Sequence, residues 1–165
     1  MPRLRVAPWI RRALEAALAA ALVAIGTLLG TRMSAGGSVY PLPSGIAGVL
    51  VLAPPVLALG VITIAYPVAM APTRSDALMG AVAAYLIAAD LTTIVAASPI
   101  SLERTDQQVG AGLLVALLAL VPAVVGLVGG QLATPLGFGR RAGAAGAIVA
   151  GIASVIALLA VPFIA

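Results

Sequence analysis

The sequence predicts an all-α protein, a bundle of five transmembrane helices in which residues 1–165 form a single domain. Three observations predict this fold. Of the 165 residues, 62% are hydrophobic and only 8% are charged, whereas a soluble domain carries roughly 25% charged residues. The mean hydropathy is +1.20. The apolar residues also fall into five blocks, each close to the roughly 20 residues that a helix needs to cross a bilayer.

Short breaks in the apolar pattern separate the five predicted spans. A Gly- and Pro-rich stretch precedes the second span, and a polar turn in which Ser75 or Asp76 can cap a helix precedes the third. Thr105 and Gln108 have the spacing of a capping box before the fourth. Backbone groups in lipid must be hydrogen-bonded internally, so uniformly apolar blocks of this length favour helices over barrel strands. The predicted spans cover residues 13–31, 46–71, 77–97, 109–133 and 142–165.

The arginines predict the orientation of the bundle. If five spans alternate in direction, seven of the nine arginines lie on one side, and only Arg32 and Arg104 lie on the other. Because basic residues accumulate on the cytoplasmic side of membrane proteins, the N-terminus is predicted to be cytoplasmic and the C-terminus outside. A basic N-terminus can also belong to a signal peptide, but Glu15 and the length of the first apolar block favour a retained helix. The seven arginines are Arg3, Arg5, Arg11, Arg12, Arg74, Arg140 and Arg141.

The composition excludes many classes of function. With so few charges the chain cannot cover a water-facing surface, which excludes a cytosolic enzyme and a nucleic-acid-binding module. The chain has no Cys and no His, so Cys-ligated metals, His-ligated haem and a catalytic His are excluded. No catalytic residue, cofactor or metal ligand is predicted. All nine basic residues are Arg, and the chain is rich in Ala and Gly. This composition suggests a GC-rich bacterial genome, so we expect the bundle in the cytoplasmic (inner) membrane of a bacterial cell.

Asp90, with Thr93 beside it, is the predicted polar site inside the membrane. It follows Asp76 by fourteen residues, about 21 Å along a helix, and therefore falls within the outer half of the hydrocarbon layer. A carboxylate at such a depth costs at least ~2.5–3.5 kcal/mol on insertion scales, so it should face protein or water. Ala88 lies about 200° around the helix from Asp90, which predicts protein on both sides of this helix.

Two interpretations of Asp90 remain open at this point. In the first, it is a protonatable carboxylate that couples transport to protons or binds a cation. In the second, it is a protonated polar group that bonds Thr93 or a carbonyl and holds helices together, since burial favours the neutral acid. The four prolines within the spans have two interpretations as well, because kinks can act as hinges or can only shape the bundle. They are Pro54, Pro55, Pro67 and Pro122.

Small residues recur four apart in several spans, a pattern that lets helix backbones approach closely in lipid. Most of these rows are expected to pack within the chain. The fifth span is small on two adjacent rows and is therefore the best candidate for a contact with another chain. Its candidate contact face is Ala142, Gly146, Ala150 and Ser154, and the row beside it is Gly143, Ala147 and Gly151.

Three functional hypotheses follow from these features. The first is a non-catalytic subunit that packs against other membrane chains or copies of itself. The second is a small oligomeric transporter or channel that uses Asp90 and the kinked helices. The third, an intramembrane enzyme, is disfavoured because the spans lack His, Cys and paired carboxylates. The expected partners are the lipid bilayer and other membrane chains, and no nucleic acid.

Overall fold

The computed structural model describes residues 7–34, 46–97, 105–133 and 139–164, and the side chains within 7–30, 51–95, 112–132 and 141–157. The described residues are helical apart from short turns, which confirms the all-α prediction. A π-helical segment, Ala58–Ile62, joins α2 to α3, so these three elements form one continuous helix, called the central rod below. The helices are α1 (Pro8–Ser34), α2 (Ile46–Leu57), α3 (Thr63–Met70), α4 (Arg74–Ala97), α5 (Thr105–Ala133) and α6 (Gly139–Ile164).

Every predicted span coincides with one of these helical rods. By length and composition four of the rods can cross a membrane, over Pro8–Gly30, Val51–Met70, Arg74–Val95 and Gly112–Leu132. The apolar stretch described for α6, Arg141–Ala157, is shorter. Four helices with the length and apolar character of membrane spans therefore indicate a membrane protein.

Most helices begin a few residues before the predicted boundary. In α1 the first residue is Pro8, where the missing N–H costs no helical hydrogen bond. In α4 the helix starts at Arg74, and the Asp76 N–H donates to Thr73 Oγ1 at 3.0 Å. The cap is therefore Thr73, and the prediction that Ser75 or Asp76 caps this helix was wrong because the helix begins earlier. The following predicted features lie outside the described side chains: Thr105, Gln108, Arg3, Arg5, Arg32, Arg104, Arg140 and Ala165.

The central rod is the most buried element among the candidate spans. It contacts α1, α4, α5 and α6. Within it Leu59, Val56 and Thr63 are fully buried, and Thr63 Oγ1 donates to the Leu59 carbonyl. That bond satisfies the buried hydroxyl within its own helix, so the core of the bundle needs no further polar partner there.

Alanine forms most of the buried contact between helices α1 and α4. The α1 row Ala16, Ala20 and Ala24 is at most 2% exposed, and Ala84 and Ala88 of α4 are fully buried. These residues belong to one apolar cluster. Without a bulky side chain between them, two helices can approach closely, and that approach provides van der Waals attraction in lipid. The small-residue rows predicted for α1 and α4 therefore pack within the chain.

Glycine and proline meet where the central rod crosses α5 and α6. A Cβ built on Gly60, inside the π segment, would lie 2.5 Å from Pro122 Cγ of α5. A Cβ built on Gly151 of α6 would lie 2.9 Å from Val61 Cγ2. No side chain fits at either glycine without a shift of its neighbours. The π segment and Pro122 thus lie at the closest approach of three helices, where they shape the packing.

One end of the bundle gathers arginine residues from several helices. At this end a Cβ built on Gly80 lies 3.8 Å from the Trp9 carbonyl oxygen. A Cβ built on Gly130 lies 3.1 Å from the Gly143 carbonyl oxygen and 3.4 Å from Val68 Cγ1. The starts of α1, α4 and α6 and the ends of α3 and α5 therefore lie together, at what we call the arginine end. The arginines with described side chains there are Arg11, Arg12, Arg74 and Arg141.

Candidate functional site

Asp90 lies on the outer surface of the bundle, facing away from the core. Its side chain is exposed, whereas Ala88 and Thr92 beside it are buried. Asp90 and Ala88 therefore lie on opposite sides of α4, as predicted. Among the described residues, other helices bury the Ala88 side and leave the Asp90 side exposed. Asp90 neither lines an internal cavity nor contacts another helix through a hydrogen bond recorded among the described residues. The expectation that Asp90 faces protein or water therefore stays a prediction, since the described residues leave its side chain exposed.

Asp90 belongs to a continuous stripe of exposed side chains along α4. The other members are large and apolar, with Leu86 55% exposed and Ile94 66% exposed. Successive members lie three or four residues apart, which places them on one face of a helix. We call this face the outer stripe, and it consists of Met79, Val82, Leu86, Asp90 and Ile94. It combines an apolar surface with one carboxyl group, five residues before the end of the candidate span Arg74–Val95.

The threonines near Asp90 occupy different environments. Thr93 is half-buried, and among the described residues no hydrogen bond joins it to Asp90. Thr92 is fully buried, and its hydroxyl donates to the Ala88 carbonyl at 2.7 Å. The predicted Asp90–Thr93 bond is therefore absent from the described chain. Asp90 keeps its hydrogen-bonding capacity available on the outside of the bundle.

The candidate contact face of α6 lies against α5 of the same chain. A Cβ built on Gly129 would lie 2.7 Å from Ala150 Cβ and 3.0 Å from the Gly146 carbonyl oxygen. Ala142 and Ser154 are half-buried, and the Ser154 hydroxyl donates within α6 to the Gly151 carbonyl at 2.7 Å. The middle of this face is therefore occupied within the chain. A contact of the same face with a second chain stays a prediction.

A polar contact that sequence reasoning missed joins α1 to the central rod. The Tyr66 hydroxyl donates to Glu15 Oε2 at 2.6 Å, and Arg11 Nε donates to Glu15 Oε1 at 2.8 Å. The pairing of Glu15 with an arginine one turn away was predicted from the sequence spacing. Tyr66 is 51 residues from Glu15, so no local pattern indicates that contact. Arg12 Nη1 is buried beside this cluster and has no hydrogen-bond partner.

Tyr85 provides a second polar contact between helices. Its hydroxyl donates from α4 to the backbone carbonyl of Ala116 in α5. The ring is half-buried, so the hydroxyl is bonded where water has little access. Each tyrosine hydroxyl thus bonds a group on a different helix. In the described part of the chain, no group of three or more acidic side chains is arranged to hold a metal ion.

The outer stripe is therefore the candidate functional site, since it is the surface where a polar group inside a span lacks cover from this chain. No family model, no curated protein and no solved structure matches this chain.

Proposed function

We propose that this protein is a small, non-catalytic subunit of a complex in a bacterial cytoplasmic membrane. Its outer stripe on α4 packs against another membrane chain. Five spans, a cytoplasmic N-terminus and an outside C-terminus belong to the proposal. The arginine end would then face the cytoplasm, as the positive-inside rule requires. The bilayer and the second chain are the proposed partners.

The observation that carries the proposal is the exposed side chain of Asp90. A carboxyl group that faces lipid inside a span is unfavourable by at least ~2.5–3.5 kcal/mol on insertion scales. A second chain packed on the outer stripe would remove Asp90 from lipid and would supply a hydrogen-bond donor. The apolar neighbours Leu86 and Ile94 would give van der Waals contact on both sides of it.

The chemistry of Asp90 restricts the partner. Opposite it, the partner must present a donor at the same depth, such as a Ser, Thr, Asn or Arg side chain, or the protonated Asp90 of a second copy. The partner's surface around that donor must be apolar, because the outer stripe is apolar apart from Asp90. Both a different chain and a second copy satisfy these conditions.

The alternative is a small oligomeric transporter or channel in which the same carboxylate acts. In that case the path would run between chains, because Asp90 lies outside the bundle. The fully buried polar side chains described, Thr63 and Thr92, donate to carbonyls of their own helices. They therefore provide no polar path through a single copy, and the subunit hypothesis takes first place.

The absence of Cys in the chain makes a crosslinking test specific. Leu86→Cys places a thiol-attached photo-crosslinker on the outer stripe, and Leu22→Cys, at a position 71% exposed on α1, is the matched control. In native membranes we expect an adduct of defined mass from position 86 and none from position 22. Adding Asp90→Leu should reduce the adduct ~5- to 30-fold, since an interhelical hydrogen bond contributes ~1–2 kcal/mol in model peptides.

Two further measurements separate the hypotheses. Asp90→Leu should leave the thermal unfolding of the isolated chain unchanged, because Asp90 bonds nothing in the described bundle. Asp90→Asn retains hydrogen bonding and should retain the adduct. If Asp90→Asn keeps the adduct but abolishes a pH-dependent phenotype of the host, the transporter alternative is correct. An undiminished adduct in Asp90→Leu contradicts the proposal that Asp90 anchors a partner.

A further inference from the structure

A surface groove of about 450 Å³ runs between helices α4 and α5 at the arginine end of the bundle. Its wall is mostly apolar. The polar residues Arg74 and Ser75 lie in the first turn of α4, and Gln131 lies in the last turn of α5 beside the apolar Leu132. The other apolar lining residues lie one turn further into each span. The lining residues are Arg74, Ser75, Leu78, Leu127, Val128, Gln131 and Leu132.

Arg74 gives the groove its charge. It is the first residue of α4, its side chain is exposed, and it takes part in none of the ion pairs recorded among the described residues. Gln131 is half-buried beside it and offers an amide donor. Both residues also line a smaller adjoining cavity of about 130 Å³ beneath the turn between α3 and α4. The side chains of Arg74, Ser75 and Gln131 thus line one end of a groove whose wall is mostly apolar.

We propose that this groove binds one anionic phospholipid. Its phosphate lies against Arg74, with Gln131 and Ser75 as additional donors, and one acyl chain follows the apolar wall formed by Leu78 and Val128. The order of groups in the groove is the order of groups in such a lipid, with charge at the membrane surface and hydrocarbon below it. A zwitterionic lipid carries its own cation beside the phosphate, so the unpaired Arg74 favours a headgroup with net negative charge.

A fluorescence experiment on the full chain tests this site. Trp9 is the only Trp, so Trp9→Phe with Leu132→Trp places a single reporter at the edge of the groove. The protein is reconstituted in vesicles that contain brominated phosphatidylglycerol or, at the same fraction, brominated phosphatidylcholine. We expect the brominated phosphatidylglycerol to be preferred about fivefold, the factor that ~1 kcal/mol per arginine near a membrane surface provides.

Matched variants distinguish a site from a general surface charge. Arg74→Gln should remove the preference, Arg74→Lys should retain most of it, and Arg141→Gln, which removes a charge from the same end outside the groove, should leave it unchanged. A reporter at Leu14, on α1 at the same end, should show no preference. Millimolar glycerol 3-phosphate should not compete. Equal quenching by both lipids, an equal effect of Arg141→Gln and Arg74→Gln, or competition by the soluble phosphate would each overturn the proposal.

Discussion

Two tyrosine hydroxyls supply hydrogen bonds between helices in a bundle whose core is otherwise almost entirely apolar. Tyr66 bonds Glu15 of α1, and Tyr85 bonds the Ala116 carbonyl of α5. Where water is scarce, a donor left without an acceptor is costly, so each bond fixes the rotation of one helix against another. The exposed pair Arg11–Glu15 has no such effect, because Arg11 is 81% exposed and bonds its own helix.

Replacement of Tyr66 by Phe should therefore destabilise the fold more than replacement of Arg11 by Gln. Tyr66→Phe removes the bond between α1 and the central rod and should lower the midpoint of thermal unfolding in detergent by roughly 2–4 °C. Arg11→Gln removes a surface ion pair within one helix and should change the midpoint by less. Circular dichroism against temperature measures both. Equal shifts would show that the Tyr66 contact contributes no more than the surface pair.

Close glycine contacts determine how the helices pair, and this is clearest for α5 and α6. Gly126, Gly129 and Gly130 all face backbone or small side chains of α6. By contrast, a Cβ built on Gly26 of α1 meets no atom within 4 Å. Gly26 and Gly30 have the same four-residue spacing as Gly126 and Gly130. The environments differ, because the glycines of α5 contact α6 whereas Gly26 faces outward.

Gly129→Leu should separate α5 from α6, whereas Gly26→Leu should be tolerated. A Cβ at position 129 already overlaps Ala150 and the Gly146 carbonyl, so we expect a loss of about 1–3 kcal/mol of stability from overpacking. The exposed position 26 has room for the new side chain and should lose far less. Chemical or thermal unfolding of the purified chain compares the two.

For the same reason, Gly146→Leu and Ala150→Leu should lower the free energy of unfolding of the isolated chain, whether or not they also affect an assembly. These two variants test a contact with another chain only if the isolated protein remains as stable as the wild type. A stable Gly129→Leu variant would show that α6 does not pack closely on α5 in the membrane.

At the scale of the whole molecule, the arginines at one end of the bundle predict which end faces the cytoplasm. Arg11, Arg74 and Arg141 come from three different helices and share that end. Alternating helices of similar length bring this about, because every second connection returns to the same side. The described arginines therefore share one end of the bundle, and the orientation of that end in the membrane stays a prediction.

We expect the C-terminus outside and the turn at residues 72–76 in the cytoplasm. A periplasmic reporter fused after Ala165 should be active, and one fused within that turn should be inactive. As an independent check, Ser75→Cys in the otherwise Cys-free chain should resist a membrane-impermeant thiol reagent in intact cells and react after lysis. A cytoplasmic C-terminus would contradict both the five-span count and the orientation.

The sequence predicted where the helices lie but not which helices contact one another. The lengths of apolar blocks fix where helices can lie, because a span must cover the hydrocarbon layer. The small-residue rows of α1 and α4 indicated close packing, and Ala20 and Ala84 are indeed buried. Nothing in the sequence indicated that the second helix is central, that Ala58–Ile62 is π-helical, or that Tyr66 reaches Glu15. Those features depend on contacts between residues far apart in the chain.

The same limit explains what was and was not predicted of the candidate site. The helical angle between Asp90 and Ala88 was predictable, since it follows from helix geometry alone. The sequence did not predict which side of α4, that of Asp90 or that of Ala88, is buried by the rest of the chain. That burial depends on how α1, α3 and α5 pack around α4. The groove beside Arg74 was missed as well, since its lining combines the start of α4 with the end of α5, more than 50 residues apart in the chain.

The placement of small residues inside the bundle and large ones outside has a consequence for how the protein tolerates mutation. In most cores the damaging substitutions remove atoms and leave cavities. Here a buried Ala or Gly has almost nothing to lose, and nearly every replacement adds atoms where Ala20 and Ala84 are already fully buried. Outside, exchanges among Leu, Ile and Val change little. The usual asymmetry of mutational damage is therefore reversed, and the smallest of the buried side chains are the ones least free to vary.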